Sequence, residues 1–293
     1  MKKSLDKDGN IVYKLGIVST TKDVSIPLNL ILKSNEYIKE ETISLFEYIP
    51  LLNNNTNSYK YYEIDNIPIL QVNSLCRITP EDRTLEKFIE DSKKLKGKDN
   101  IIIDLRNNTG GSMVNIDKWY EGFTGTKLKK DIIEASLYTN TSISLSKDKF
   151  KSKQNEPDDI KDKCLEKISS YEDKKYYPGW SPIEYEDFKH TENKTNIFIL
   201  VDKNTSSAAE FLAYYLRKLN NVTLIGTNTN GCMLTGNCNS NYLPNSHIPI
   251  NISHKIYMNK DFTNIDGLGL FPDLWVKPEQ ALDRIVKYIN KNI

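Results

Sequence analysis

Residues 196–226 read NIFILVDKNTSSAAEFLAYYLRKLNNVTLIG, and this stretch decides the fold. Asn196 to Asp202 is a short apolar run that ends in a carboxylate, and Val222 to Gly226 repeats the type. Apolar runs without alternation suit strands covered on both faces, because neither side then meets water. Between them Ala208, Phe211, Leu212, Tyr215, Leu216 and Leu219 recur at helical spacing. Strand, helix, strand in so short a span is the unit of a parallel α/β sheet with helices packed against it.

Outward from this unit, Asn100 to Leu105 supplies another covered strand. Ile67 to Leu75 supplies one more, with Pro68 near its beginning, where a missing N–H is tolerated. Leu85, Phe88, Ile89 and Leu95 predict an amphipathic helix over 82–96. Ile248, Ile250, Ile252, Ile256 and Met258 share one phase of a two-residue period, which predicts a half-buried strand with His254 on the inward phase and His247 on the polar one. Leu282, Ile285, Val286 and Ile289 predict a closing helix that begins at Pro278. Residues 145–175 are dense in Lys, Asp and Glu and read as a solvated insertion, either a lid or a long surface loop. The polar run at 52–58 reads as a linker, so 1–58 is expected to be the remnant of an upstream domain and 59–293 the main domain.

Composition narrows the functional classes. The chain has 293 residues with 40 basic against 39 acidic side chains, and lacks the clustered Lys/Arg excess that a nucleic-acid binder needs. Mean hydropathy is −0.54 and no apolar run approaches the ~18 residues of a spanning helix. The polar residues after Met1-Lys-Lys leave no room for the apolar core of a signal peptide, so the chain as written is expected in the cytoplasm. Cys76, Cys164, Cys232 and Cys238 form no CxxC pair, so neither a zinc site nor a disulfide scaffold is expected, and no metal or cofactor is called for. Cys232 and Cys238 read as ordinary thiols rather than a bridge.

Chemistry has three candidate seats. Asp104-Leu-Arg-Asn-Asn-Thr-Gly-Gly111 runs from a buried strand into paired glycines, and such a turn lets main-chain N–H groups approach a developing oxyanion. Taken alone, Gly110 and Gly111 read as a tight turn. Thr205-Ser-Ser-Ala-Ala-Glu210 opens a helix, where the macrodipole and the next N–H favour negative charge near Ser207. Ser207 and Glu210 equally fit an S-x-x-E capping box. Asp266-Gly-Leu-Gly-Leu-Phe-Pro-Asp273 is a Gly-rich turn that either carries an orienting carboxylate or is only a turn.

In this order the motifs resemble the tail-specific, or carboxyl-terminal processing, serine peptidase family, which includes the tricorn core. An apolar strand ending D-L-R-x-N-x-G-G matches Asp104 to Gly111, and S-A-x-E matches Ser207 to Glu210. I-G-x-x-T-x-G matches Ile225 to Gly231, and E-G-x-G-x-x-P-D matches Asp266 to Asp273 with Asp for Glu. The resemblance covers about residues 60–290 and implies an α/β, crotonase/ClpP-like spiral β-sheet core with flanking helices. It further implies a serine endopeptidase acting on a peptide or protein substrate, with Ser207 as nucleophile and an oxyanion hole built from Gly110, Gly111 and Ala208. Glu210 would support the helix start, and Asp266 would match a carboxylate of the tricorn-like catalytic network.

Two departures bear on mechanism. The lysine of the Ser-Lys branch directly follows the T-x-G turn, and here Cys232 stands in its place, which puts the chain closer to the tricorn-core-like branch. That branch takes a histidine from upstream of the D-L-R motif, whereas the histidines here are His190, His247 and His254. Two expectations follow. Either the histidine lies in an upstream part of a longer, exported protein, or the chain is an inactive peptide- or ligand-binding module of the same fold.

Overall fold

The computed structural model describes residues 2–14, 28–33, 38–43, 56–152, 162, 165–166, 169–170, 179–183, 185–187, 191–243, 245–261 and 265–292. In chain order the strands are β1 (Lys2–Leu5), β2 (Ile11–Lys14), β3 (Leu28–Lys33), β4 (Ile38–Ile43), β5 (Tyr59–Ile64), β6 (Ile67–Val72) and β7 (Asn100–Asp104). They continue with β8 (Ile132–Tyr138), β9 (Gly179–Trp180), β10 (Asn196–Val201), β11 (Val222–Gly226), β12 (Thr235–Tyr242), β13 (Pro249–Asn259) and β14 (Leu274–Trp275). The helices are α1 (Thr84–Leu95), α2 (Met113–Thr124), α3 (Asn140–Ser152), α4 (Ala208–Leu216) and α5 (Pro278–Asn292).

The central sheet has six strands in the order β14-β11-β10-β7-β6-β5. All its pairs are parallel except β5 with β6, so the sheet is mixed only at that edge. The strand residues divide strictly by parity. Ile101, Ile103, Ile197, Ile199 and Val201 face a layer built from α1, α2 and α4, in which Phe88, Trp119 and Phe123 stack at 5.6 and 5.1 Å. Ile102, Phe198, Leu200 and Ile225 face Ala281, Ile285, Val286 and Ile289 of α5. Both faces are therefore dry, which is why the strands carry unbroken apolar runs. The β1–β2 hairpin joins the second layer through fully buried Leu5.

A second sheet, β12-β13-β8-β9, flanks this core. β13 occupies the predicted late strand, but its apolar phase is not buried throughout: Ile248 and Ile252 are 55% and 53% exposed. Within β13 only Lys255 to Asn259 pair with β8, so among the described residues the earlier half of β13 pairs with β12 alone. His254 is half-buried there. The charged stretch 145–175 begins in α3, and much of its remainder, like His190, lies outside the described residues. Among the described residues no helix is long and apolar enough to cross a membrane.

Candidate active site

Three loops meet outside the carboxyl ends of adjacent parallel strands: 104–111 after β7, 202–207 after β10 and 226–231 after β11. Open α/β sheets present ligand sites at that edge, because the loops there can vary while the strands hold them.

The first loop is tied down by its polar side chains. Asp104 takes two bonds from the Arg106 guanidinium, Nε at 2.8 Å and a terminal nitrogen at 2.5 Å, and a third from Arg106 N–H at 3.1 Å, and Arg106 also donates to the Pro278 carbonyl at the start of α5. Asn108 is fully buried and acts as a post between loops. Its Nδ2 donates to Val72 O at 2.8 Å, its Oδ1 accepts Gly110 N–H at 2.8 Å, and its carbonyl accepts Ser206 N–H at 3.0 Å. Gly110 (φ 105°) then passes so close to the second loop that a Cβ there would sit 2.9 Å from Ala208 N, Ser206 O and Ser207 Cβ. At Gly111 (φ 145°) a Cβ would lie 2.4 Å from the Leu75 carbonyl carbon. Only glycine fits either place, on conformation and on space.

The second loop is organised by Asp202, whose Oδ1 accepts the N–H groups of Asn107, Asn204 and Thr205 at 3.0, 3.1 and 2.9 Å. Its product is the conformation of Ser207, φ 53° and ψ −122°, with Ala209 N–H closing the turn onto Ser206 O at 3.1 Å. Those angles belong to the glycine-favouring corner of a type II′ turn, and in a residue with a Cβ they cost roughly 1–3 kcal/mol.

Behind Ser207 lies Glu210, wholly buried. Its Oε2 accepts Ser207 N–H at 2.9 Å and Cys232 N–H at 2.8 Å, while Oε1 accepts Gly231 N–H at 2.8 Å and the Thr229 hydroxyl at 2.5 Å. Glu210 thus does the work of a capping residue and also fastens the third loop to the serine turn. Thr229 Oγ1 in turn accepts Leu270 N–H at 2.7 Å, and Gly267 N–H reaches Gly231 O at 2.9 Å. This brings the Asp266 turn alongside. Asp266 is exposed, and close enough to Cys232 that its charge helps push that thiol up. Partial desolvation of Cys232 is the larger cause, followed by Glu210, while Lys203 acts in the opposite sense. At the far end of that turn Asp273 accepts Leu224 N–H at 2.8 Å and pairs with Arg217, a staple rather than part of the site.

Gly110, Ser207 and Ala208 are therefore in mutual contact, Gly111 follows Gly110, Glu210 backs the serine, and Asp266 stands on the next turn beside Cys232. Among the described residues no hydrogen bond links Ser207 Oγ to a histidine or lysine nitrogen. His247 is exposed on a turn with φ 54°. Asn108, Asp202 and Thr229 were not singled out from the sequence, although Asn108 and Thr229 are fixed letters of the matched motifs and Asp202 directly follows the strand that opens the decisive stretch. No group of metal-ligating side chains occurs among the described residues.

Set beside known proteins, the chain matches the profile of peptidase family S41 over residues 66–276. It belongs to peptidase family S41. This is the tail-specific family that the motifs resemble, and the mixed α/β core with flanking helices is its fold. A lipoprotein from Streptococcus agalactiae aligns at 17% identity and TM-score 0.45, over 80% of this S41 chain and 70% of that one. The photosystem II D1 C-terminal processing protease aligns at 14% identity and TM-score 0.42, over 90% of this chain and 59% of its own. A CPAF mutant aligns at 12% identity and TM-score 0.51, over 98% of this chain and 54% of its own, a likeness of fold. The S41 chain thus spans less than two thirds of the length of the latter two. No curated protein matches it.

Proposed function

We propose that this S41 chain is a serine-type endopeptidase in which Ser207 attacks the scissile carbonyl of a peptide or protein substrate. The observation that carries the reading is the strained backbone of Ser207 at the mouth of α4, since strain of that kind is retained where a side chain must be aimed. A serine at a sharp strand-to-helix turn presents its hydroxyl and leaves the following N–H free to meet an oxyanion. The donors are assigned to Ala208 and Gly111. Gly110 has its own N–H on Asn108, so its part is to leave the approach to Ala208 open. To Asp266, exposed on the neighbouring turn, we assign the part of an orienting carboxylate, and the Ser-Lys arrangement is set aside because Cys232 holds the lysine's place.

Labelling with a fluorophosphonate probe tests this directly. The wild-type chain is expected to label and Ser207→Ala is not; absence of Ser207-dependent labelling in both this chain and a longer native form would sink the peptidase reading. The second reading, a binding module that holds an extended peptide in the same cleft, is favoured by one observation, the lack of a histidine or lysine on Ser207 Oγ among the described residues. It expects Ser207→Ala to leave peptide affinity unchanged and a bulky replacement of Gly111 to abolish it.

A further inference from the structure

Glu210 is a buried carboxylate in the first turn of α4 whose partners are three amides and a hydroxyl, and compensation from a positive charge would add to what these neutral hydrogen bonds supply. The compensation is visible one peptide group away. Lys203 lies in the loop between β10 and the serine turn, and its Nζ donates to Asn230 O at 3.1 Å, Thr229 O at 3.3 Å and Gly267 O at 3.3 Å. An ammonium has three donors and no acceptor, so three carbonyls are what it can saturate. The Asn230 carbonyl and the Gly231 N–H belong to a single peptide unit. Its oxygen rests on Lys203, and its N–H rests on Glu210 Oε1 at 2.8 Å. That peptide dipole is therefore aligned between an ammonium outside and a carboxylate inside, each polarising the bond to the other.

The rest of the arrangement closes on the same point. Asn230 returns a bond through Nδ2 to Lys203 O at 3.2 Å, and its N–H donates to Thr205 O at 2.8 Å. Through Gly267 O the ammonium also holds the Asp266 turn against Gly231, where a Cβ would already be 2.6 Å from Gly267 N. We propose that Lys203 is a positioning residue of the active site, the counter-charge of Glu210 acting through the Asn230–Gly231 peptide, and that it locks the 229–232 and 266–269 turns into register with Ser207. A surface ammonium paired to one acceptor contributes little. Lys203 differs because its contacts join segments that are far apart in sequence, and because Glu210 lies at the other end of one of them. No such role follows from the matched motifs, in which position 203 is not a specified letter.

The inference deepens the reading of Ser207 as nucleophile, because these turns back that serine, but neither measurement below needs turnover. In the full chain, amide hydrogen exchange at Gly231 and Cys232 is expected to quicken about tenfold in Lys203→Met, the scale of one lost charge-assisted hydrogen bond, with α2 and β7 amides unmoved. The second readout is the pH profile of Cys232 alkylation by iodoacetamide, followed on its own peptide by mass spectrometry. Desolvation raises this thiol most; of the charged and titratable groups around it Glu210, Asp266 and Cys238 raise it and Lys203 lowers it, and its Sγ donates to Asn230 Oδ1 at 2.9 Å. Removing the ammonium is expected to move the profile to higher pH in both Lys203→Met and Lys203→Gln, and Lys203→Arg is expected to restore it. Exchange and profile both within about twofold of wild type in Lys203→Met would overturn the proposal. So would full rescue by Lys203→Gln, which keeps a donor without the charge, or exchange that quickens equally throughout the core. Failure of Ser207 to label would leave these outcomes as they stand.

Discussion

At Ser207 the groups that impose the strained backbone can be named: Ser206 N–H is held by Asn108 O, Ser207 N–H by Glu210, and Ala209 N–H by Ser206 O. If strain is what the fold spends to aim the hydroxyl, removing the Cβ should recover it. Ser207→Gly is accordingly expected to exceed Ser207→Ala in stability by about 1–2 kcal/mol in urea denaturation, with neither labelling. Equal stability of the two would show that the φ of 53° carries no penalty here. Gly110 is the complementary test, since on the proposed reading its missing side chain leaves the approach to Ala208 N–H open. A methyl at 110 would meet Ala208 N and Ser207 Cβ at 2.9 Å in a backbone that already disfavours it. Gly110→Ala is expected to lower the rate of Ser207 labelling about 100-fold or more, the scale of one lost oxyanion donor, while the chain still folds. Labelling at the wild-type rate would place the oxyanion elsewhere.

Among the elements, α1 shows how a polar side chain fixes a helix relative to the sheet. Asp82, just before α1, accepts Ser58 N–H at 2.8 Å, Thr84 N–H at 2.9 Å and Ile78 N–H at 3.2 Å, as well as the Ser58 and Thr84 hydroxyls. Burial alone would raise this carboxyl, but the bonds from Ser58, Thr84 and Ile78 outweigh it and hold it well below the usual carboxylate range. A depressed folded value means the contribution is present above the unfolded value near pH 4 and fades as pH falls through the folded one. Asp82→Asn should therefore lower the urea midpoint at pH 7, and its deficit against wild type should shrink steadily below about pH 4. A deficit independent of pH would mean that Asp82 acts by packing alone. The same scale shows what sequence patterns convey. The unbroken runs at 100–104 and 196–201 revealed their burial because both faces of those strands are dry. The period of β13 conveys a face but not how far it is buried: Ile252, on the apolar phase, is exposed and lies in the half of the strand that β8 does not pair.

Across the whole molecule the site is a meeting of distant segments, which limits how far residues can be read along the chain. Gly110, Gly111, Ser207 and Glu210 were legible because their motifs recur in order, whereas the post at Asn108 and the anchor at Asp202 owe their roles to partners remote in sequence. Asp202, for example, receives Asn107 N–H from 95 positions away. The N-terminal hairpin is the clearest long-range case. Leu5 is wholly buried against the layer of Leu274, Val276 and Ile285, Ser4 Oγ donates to the Trp275 carbonyl, and Arg284 of α5 donates to Leu5 O. The hairpin therefore completes the layer under α5, on the face opposite α4. Because Ser207 is ordered by bonds within its own loops, loosening this layer should lower global stability without re-aiming the serine. Leu5→Ala is expected to cost about 2–4 kcal/mol in urea denaturation, the usual range for a buried leucine whose site cannot fully collapse. In the absence of denaturant its Ser207 labelling rate should stay within about threefold of wild type, since the variant remains folded. An unchanged urea midpoint would show that the hairpin lies outside the cooperative unit, and a large fall in labelling with the midpoint intact would show that the two layers are coupled through Arg106 and the Pro278 carbonyl.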